Sequence, residues 1–105
     1  MREICLARLD RTRPVLILTR ELARHTMTKV TVAPITSTVR GLSSEVPVGV
    51  RNGLVHECAA VLDNVVTIPT ALLGRTIGLL ADDQEPALAR AIALAYNLDI
   101  PLLST

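Results

Sequence analysis

Two apolar runs constrain this chain more than any other feature: Arg13-Pro14-Val15-Leu16-Ile17-Leu18, and Val30-Thr31-Val32-Ala33-Pro34-Ile35-Thr36. Both are rich in β-branched residues and carry one polar group at an end, so each reads as a strand whose middle is buried. Arg13 opens the first and Thr36 closes the second. If the strands are antiparallel neighbours, the start of one lies beside the end of the other. A guanidinium and a hydroxyl then meet at one rim of a sheet, which is a phosphate site in outline.

The rest of the chain reads mainly as short strands and turns. Glu3 to Leu9 sets Ile4, Leu6 and Arg8 against Cys5, Ala7 and Leu9, a strand with a mixed second face. Asp10-Arg11-Thr12-Arg13 is a tight polar connection into Val15–Leu18, a run apolar enough to be covered on both faces. Thr19 to Thr28 is a polar loop, with a helical turn expected at Glu21 to His25. Pro34 cannot donate to a ladder and so signals an edge strand or a bulge. Ser37 to Ser44 is a loop, Glu45 to Val48 resumes extended structure, and Arg51-Asn52-Gly53-Leu54 is a turn, because Asn-Gly favours positive φ. Cys58 to Leu62 is a further strand ending at Asp63-Asn64, Thr67 to Gly74 a helical turn closed by glycine, and Arg75 to Leu80 a last strand. A helix follows, with Asp83 as N-cap, Pro86 in the first turn, and Leu88, Ala91, Ile92, Ala95, Tyr96 and Leu98 on one apolar face. Five or six strands and one terminal helix make an α+β, mainly β chain, a small partly open barrel packed against that helix.

Composition excludes several classes. A chain of 105 residues, half of them hydrophobic, holds one domain with a real core. No apolar run reaches the ~18 residues of a membrane span, and the N-terminus lacks a signal-peptide pattern, so a cytoplasmic protein is expected. Cys5 and Cys58 stand far apart without a C-x-x-C, which reads as two buried reduced thiols rather than a zinc or redox pair.

The net charge of +1 hides an asymmetry. Residues 1–40 carry eight Lys and Arg against three acids, while the remainder carries three against seven. Ten of the eleven cations are Arg, the residue suited to bidentate phosphate contacts. That basic half is a candidate footprint for a polyanion, with an ordinary solvated surface as the alternative. Tyr96 is the only aromatic residue, so bases would be held by polar edges and Arg planes rather than on an aromatic platform.

R-P-V-L-I-L, P-I-T, the approach to Glu45-Val46-Pro47, and D-N-V-V-T-I-P followed by L-G-R-T-I-G occur in this order from Arg2 to about Leu98. The pattern resembles the MazF/PemK toxins of bacterial toxin–antitoxin systems. The resemblance implies an SH3-like barrel related to the CcdB toxins, and a homodimer with two phosphate sites. It implies metal-independent, sequence-selective cleavage of single-stranded RNA by the neighbouring 2′-hydroxyl, leaving 2′,3′-cyclic phosphate and 5′-hydroxyl ends, with no cofactor. A cognate MazE-like antitoxin, through an acidic disordered tail, should compete with RNA for the basic rim.

Carried residue by residue, the resemblance makes Arg13 the phosphate clamp and Thr36 a hydrogen-bond donor to the same phosphate. A guanidinium cannot readily act as a base. Without the resemblance, Arg13 is a strand-edge surface charge and Thr36 an ordinary strand residue. Arg11, Ser37, Thr38, Arg40, Asp63 and Asn64 are candidate RNA contacts. For Ser37, Thr38 and Arg40 the alternative is an ordinary polar loop, and for Asp63 a hydrogen bond to the backbone of its own turn. No general base is identified, His25 and His56 reading as exposed loop or strand-edge residues. The first loop is shorter than in many family members, with only Asp10-Arg11-Thr12 before the Arg-Pro pair, which puts any contribution from it in doubt. The competing functional reading is a CcdB-like toxin that inhibits a protein target such as gyrase without chemistry.

Overall fold

The computed structural model describes residues 2–20 and 26–98. Strands β1 (Arg2–Arg8), β2 (Thr12–Ile17), β3 (Lys29–Thr36), β4 (Glu45–Val48), β5 (Cys58–Val61), β6 (Val66–Pro69) and β7 (Leu73–Leu80) precede helix α1 (Glu85–Ala95). All pairings are antiparallel, in the order β4-β5-β3-β2-β1-β7, with β6 added to β3. The result is a curled half-barrel closed on one side by α1, the α+β, mainly β arrangement expected from the sequence.

The curl buries both faces of its central strands. Ile4 of β1 and Leu16 of β2 face a core that includes Ile35, Val46, Leu62 and Leu80, covered by Leu88 and Ala91 of α1. Cys5, Ala7, Val15 and Ile17 face the other way, against Val30, Val32 and Ile68. Alternation along β1 and β2 thus feeds two cores, which is why the run from Val15 to Ile17 is apolar without a break. Cys5 and Cys58 are buried and not in a disulfide.

Four expectations need correction. The strand count is seven, because Thr67 to Pro69, expected to start a helical turn, belong to β6 (Val66–Pro69), which pairs with β3 from Val32 to Lys29. Only Thr70–Leu72 forms a 3₁₀ turn, and Gly74 lies inside β7. Pro34 marks neither an edge nor a bulge: it pairs with Val15 of β2 and falls between Val32, the last residue paired with β6, and Ile35, the first paired with β5. A residue without an N–H suits the point where the strand changes partner. The helix takes Gln84 rather than Asp83 as its N-cap, and Asp83 forms an ion pair with Arg51 instead (Nη2 to Oδ1, 2.9 Å). Tyr96 and Leu98 are more than half exposed, beyond the last turn packed on the core. The helical turn expected at residues 21–25, and His25 with it, lies outside the described residues.

The Asn-Gly turn does more than reverse the chain. Val50–Asn52 forms one 3₁₀ turn, and Gly53 follows in the left-handed region with φ of 88°. Asn52 is buried at 1 % exposure. Its Oδ1 accepts from the Gly49 N–H (3.0 Å) and from Gln84 Nε2 (3.3 Å), while its Nδ2 donates to the Leu79 carbonyl (2.9 Å) and to Gln84 Oε1 (2.7 Å). One amide therefore joins the turn, β7 and the residue that starts α1. The approach is close: a Cβ on Gly78 would stand 1.7 Å from the Asn52 carbonyl oxygen. Asn52→Ala strands the Gly49 N–H and the Leu79 carbonyl and is expected to cost about 3 kcal/mol. Gly78→Ala, forcing backbone against backbone, should cost about 3 kcal/mol or more. Urea unfolding checks both, and a loss below about 1 kcal/mol for either would contradict this account.

Candidate functional site

Strand pairing decides where the two polar ends go. Val15 faces Pro34, Leu16 faces Ala33 and Ile17 faces Val32. Continuing that register by two residues sets Arg13 opposite Thr36, at the rim where the strands diverge. Both side chains line one cleft of about 420 Å³. They also line a second, of about 300 Å³. Arg13 and Thr36 thus form a saddle between two hollows.

The candidate contacts divide between these hollows. Arg11 and Ser37 line the first, Arg40, Asp63 and Asn64 the second, and Thr38 lines both. All eight residues singled out from the sequence therefore meet at one site.

Arg13 is aimed by its own turn. Its Nε donates to Asp10 Oδ1 (2.8 Å) and its Nη2 to Asp10 Oδ2 (2.9 Å), while Oδ1 also accepts the Arg11 N–H (3.0 Å). The fork fixes the guanidinium plane and leaves Nη1 and the second hydrogen of Nη2 for another acceptor. The hydrogen bonds from Arg13 hold the Asp10 carboxyl down at about 2, and the same pairing raises Arg13 further. Sequence reasoning missed Asp10, although the signal was present in the i, i+3 spacing of opposite charges across a three-residue connection. The short first loop therefore does contribute to the site.

Thr36 is fixed as well. Its Oγ1 accepts the Thr38 N–H (3.1 Å), which leaves the hydroxyl proton to donate. The loop after it is anchored: the buried Glu45 carboxylate accepts from the Arg40 N–H (3.2 and 3.4 Å) and from the Gly41 N–H (2.9 Å). At the far end, Ser44 Oγ donates to Asp63 Oδ2 (2.5 Å). Asp63 thus does not serve the backbone of its own turn. It latches the loop while Asn64 beside it lines the second hollow.

His56 stands on the wall of the first cleft, together with Leu54, Val55 and Cys58. Its exposure agrees with the sequence reading, but its place on the same cleft as Arg13 and Thr36 was invisible there, since it depends on how the connection from Gly53 to β5 folds back. The ring Nδ1 lies 3.1 Å from the Glu57 carbonyl and 3.6 Å from Cys58 Sγ. Burial, and secondarily the Glu57 charge, pushes the Cys58 thiol up. Among the described residues no group of three or more His, Cys, Asp or Glu is placed to hold a metal ion.

Residues 3–96 match the PemK-like, MazF-like toxins of type II toxin–antitoxin systems. The chain belongs to this family. It is 59 % identical over 99 residues to the endoribonuclease MazF3 of Mycobacterium tuberculosis, covering 94 % of this chain and 96 % of that protein. A probable endoribonuclease of the same organism, MazF5, is 37 % identical over 86 residues, 81 % of this chain and 79 % of the relative. Among solved structures, the M. tuberculosis toxin MazF-mt6 superposes with a TM-score of 0.92 at 57 % identity, over 93 % of this chain and 99 % of that one. A mycobacterial endoribonuclease solved with its cognate antitoxin shares the fold at 22 % identity, with a TM-score of 0.83 over 94 % and 95 % of the two chains.

In this MazF-family toxin the Asp10–Arg13 pair makes a pH prediction. The folded-state value of Asp10 lies below the unfolded one, so its stabilising contribution is complete above about pH 4 and is lost as pH falls through about 2. A carboxyl-detected NMR titration should therefore find Asp10 ionised down to about pH 3. A midpoint near the ordinary value of about 4 would show that the fork is not held in solution.

Proposed function

We propose that this toxin is a sequence-selective endoribonuclease whose reacting phosphate sits on the Arg13–Thr36 saddle. The 59 % identity to a protein named as an endoribonuclease, over nearly the whole of both chains, supports the activity class. The observation that carries the chemistry is the pre-aimed guanidinium facing a hydroxyl donor across adjoining strand ends.

The geometry suits attack by the neighbouring 2′-hydroxyl on phosphorus. Such a reaction passes through a species with extra charge on the non-bridging oxygens, and fixed donors aimed there lower its energy without reorganising during the step. Arg13 supplies Nη1 and Nη2, and Thr36 supplies its O–H. Products would be a 2′,3′-cyclic phosphate and a 5′-hydroxyl, and no step requires a metal ion. Asp10 acts through Arg13, as a positioning residue. The hollows on either side suit the flanking nucleotides, with Arg11 and Ser37 on one side and Arg40, Asp63 and Asn64 on the other offering donors and acceptors to base edges and phosphates.

A homodimer and an antitoxin complete the proposal. Each hollow is the size of a small-molecule site, so reading several nucleotides calls for a groove continued on a second copy. An antitoxin with an acidic disordered segment would find the same arginines and compete with RNA. The CcdB-like alternative loses ground, because a protein binder has no need of a guanidinium fixed opposite a hydroxyl and the relatives are named as ribonucleases.

The test is cleavage of a long unstructured RNA in EDTA, with the ends identified. Arg13→Ala should slow cleavage by about 10²-fold or more, as expected for a lost fixed donor. Arg13→Lys should restore little, since an ammonium lacks the fork, and Thr36→Ala should also impair cutting. Asp10→Asn should cost less than Arg13→Ala, because the guanidinium remains but is less well aimed. Near-normal cutting by both alanine variants, or a requirement for magnesium, would refute the assignment.

A further inference from the structure

We propose that Glu45 is a specificity-determining positioning residue, whose buried carboxylate holds the Arg40-Gly41 turn beside the second hollow so that the Arg40 guanidinium reads one base next to the cut. This rests on the cleavage reading above and names what sets its selectivity. The strand order creates the need for such a tie. Strands β3 and β4 both run antiparallel to β5, which lies between them, so they are parallel to each other and the loop from Ser37 to Ser44 must travel back along the sheet to start β4. Thr36 faces Ala59, and Ala59 faces Pro47. Glu45 therefore stands two residues along β4 from the row that holds Thr36, on the same face of the sheet.

The loop is tied along its length. Next to the saddle, Thr36 Oγ1 accepts the Thr38 N–H, and at the far end the Leu62 N–H donates to the Ser44 carbonyl (3.0 Å) and the Glu45 N–H to the Leu42 carbonyl (3.1 Å). Between these ends, every hydrogen bond at Arg40 and Gly41 among the described residues runs to Glu45. Its Oε1 accepts the Arg40 N–H (3.2 Å) and the Gly41 N–H (2.9 Å), and its Oε2 lies 3.4 Å from the Arg40 nitrogen. Gly41, in the left-handed region with φ of 73°, turns the chain so that two consecutive N–H groups converge on one oxygen, a concave arrangement suited to an anion.

The charged side chains lining the second hollow are Arg13, Arg40 and Asp63. Arg13 is forked on Asp10, and Asp63 accepts from Ser44 Oγ. Among the described residues the Arg40 guanidinium makes no hydrogen bond or ion pair, so its N–H donors are available to the acceptor edge of a base. Such a long side chain discriminates only if it starts from a fixed backbone. Without the Glu45 tie the same guanidinium would sample many positions, and ordering it on one base would cost the entropy that the tie removes in advance.

Cut-site mapping on a long mixed-sequence RNA in EDTA tests this with wild type, Arg40→Ala, Glu45→Ala, Glu45→Gln and the double alanine variant. The same preferences are read from a pool of fully 2′-O-methylated RNAs, which bind but cannot react. Arg40→Ala should flatten the preference at one position flanking the cut by about ten-fold, the ordinary value of one base contact. Glu45→Ala should flatten that same position to a similar extent, and the double variant no further. Glu45→Gln should stay within about three-fold of wild type, because an amide oxygen in the place of Oε1 keeps both N–H bonds. If Glu45→Ala does not fold, Gly41→Ala takes its place: a Cβ there meets open space but is strained at that φ, so the turn alone is disturbed. Preferences in Glu45→Ala that match wild type, that weaken at all positions alike, or that flatten where Arg40→Ala does not, overturn the assignment. So does a Glu45→Gln variant as impaired as Glu45→Ala, or a uniform loss in Arg40→Ala, the mark of a phosphate contact. Wild type that cuts no RNA in EDTA overturns the reaction reading instead, and the bound pool still decides the role of Glu45.

Discussion

The side-chain amide of Asn52 is the interaction on which the rest of the molecule leans. Four hydrogen bonds from one buried group join the turn after β4, the backbone of β7 and the start of α1. A buried amide tolerates no partial pairing, because each stranded partner would meet the low-dielectric interior unmatched. The turn is therefore held in one place, and the connection that leaves it is held too: the Leu54 N–H donates to the Gly49 carbonyl, and its side chain lies at the edge of the core. Val55 and His56 follow on the outside, as the wall of the cleft. A fold-stabilising contact on one side of the connection fixes the wall of the cleft on the other.

The electrostatics of the site follow a similar logic. Asp10 weakens the net positive charge beside the proposed phosphate position, yet it removes the rotational freedom that a long arginine side chain would otherwise lose on binding. Asp63 and Glu45 do the same for the loop that carries Ser37, Thr38 and Arg40. Three carboxylates in a basic surface would weaken a purely electrostatic binder. In a catalyst they keep donors fixed, which matters more than charge count when the partner charge develops during the reaction.

What could be read from the sequence was what local pattern controls. The runs from Val15 to Leu18 and from Val30 to Thr36 declare strands, and a single pairing hypothesis brings Arg13 to Thr36. Partners set by folding at long range could not be read in this way. Val66–Pro69 has too few residues to declare itself, and β3 makes it a strand. Pro34 points to an edge or a bulge because it cannot donate to a ladder, and only the topology shows that it instead marks a change of partner inside the sheet. Asp83 has the right chemistry for a cap, yet Arg51, distant in sequence, claims it while Gln84 begins the helix. His56 and Asp10 make the same contrast at the cleft: Asp10 lies three residues from its partner and could have been noticed, whereas His56 is brought there by the path of the connection from the Asn52 turn to β5.

The comparisons separate the fold from the side chains set on it. At 22 % identity the mycobacterial relative keeps the fold with a TM-score of 0.83, so most side chains are replaceable while the curl of the sheet persists. The two strand ends are each placed by the register of an outer neighbour, Arg13 opposite Ala7 of β1 and Thr36 opposite Ala59 of β5. Loops between them vary at little cost. The proposed phosphate grip, built on the start of β2 and the end of β3, would then depend on the register of the sheet rather than on the loops beside it. In this chain the loop from Ser37 to Ser44 is anchored by Glu45 and by the Asp63-Asn64 corner rather than by the sheet, so under the proposed function it is the part that could change without disturbing the saddle.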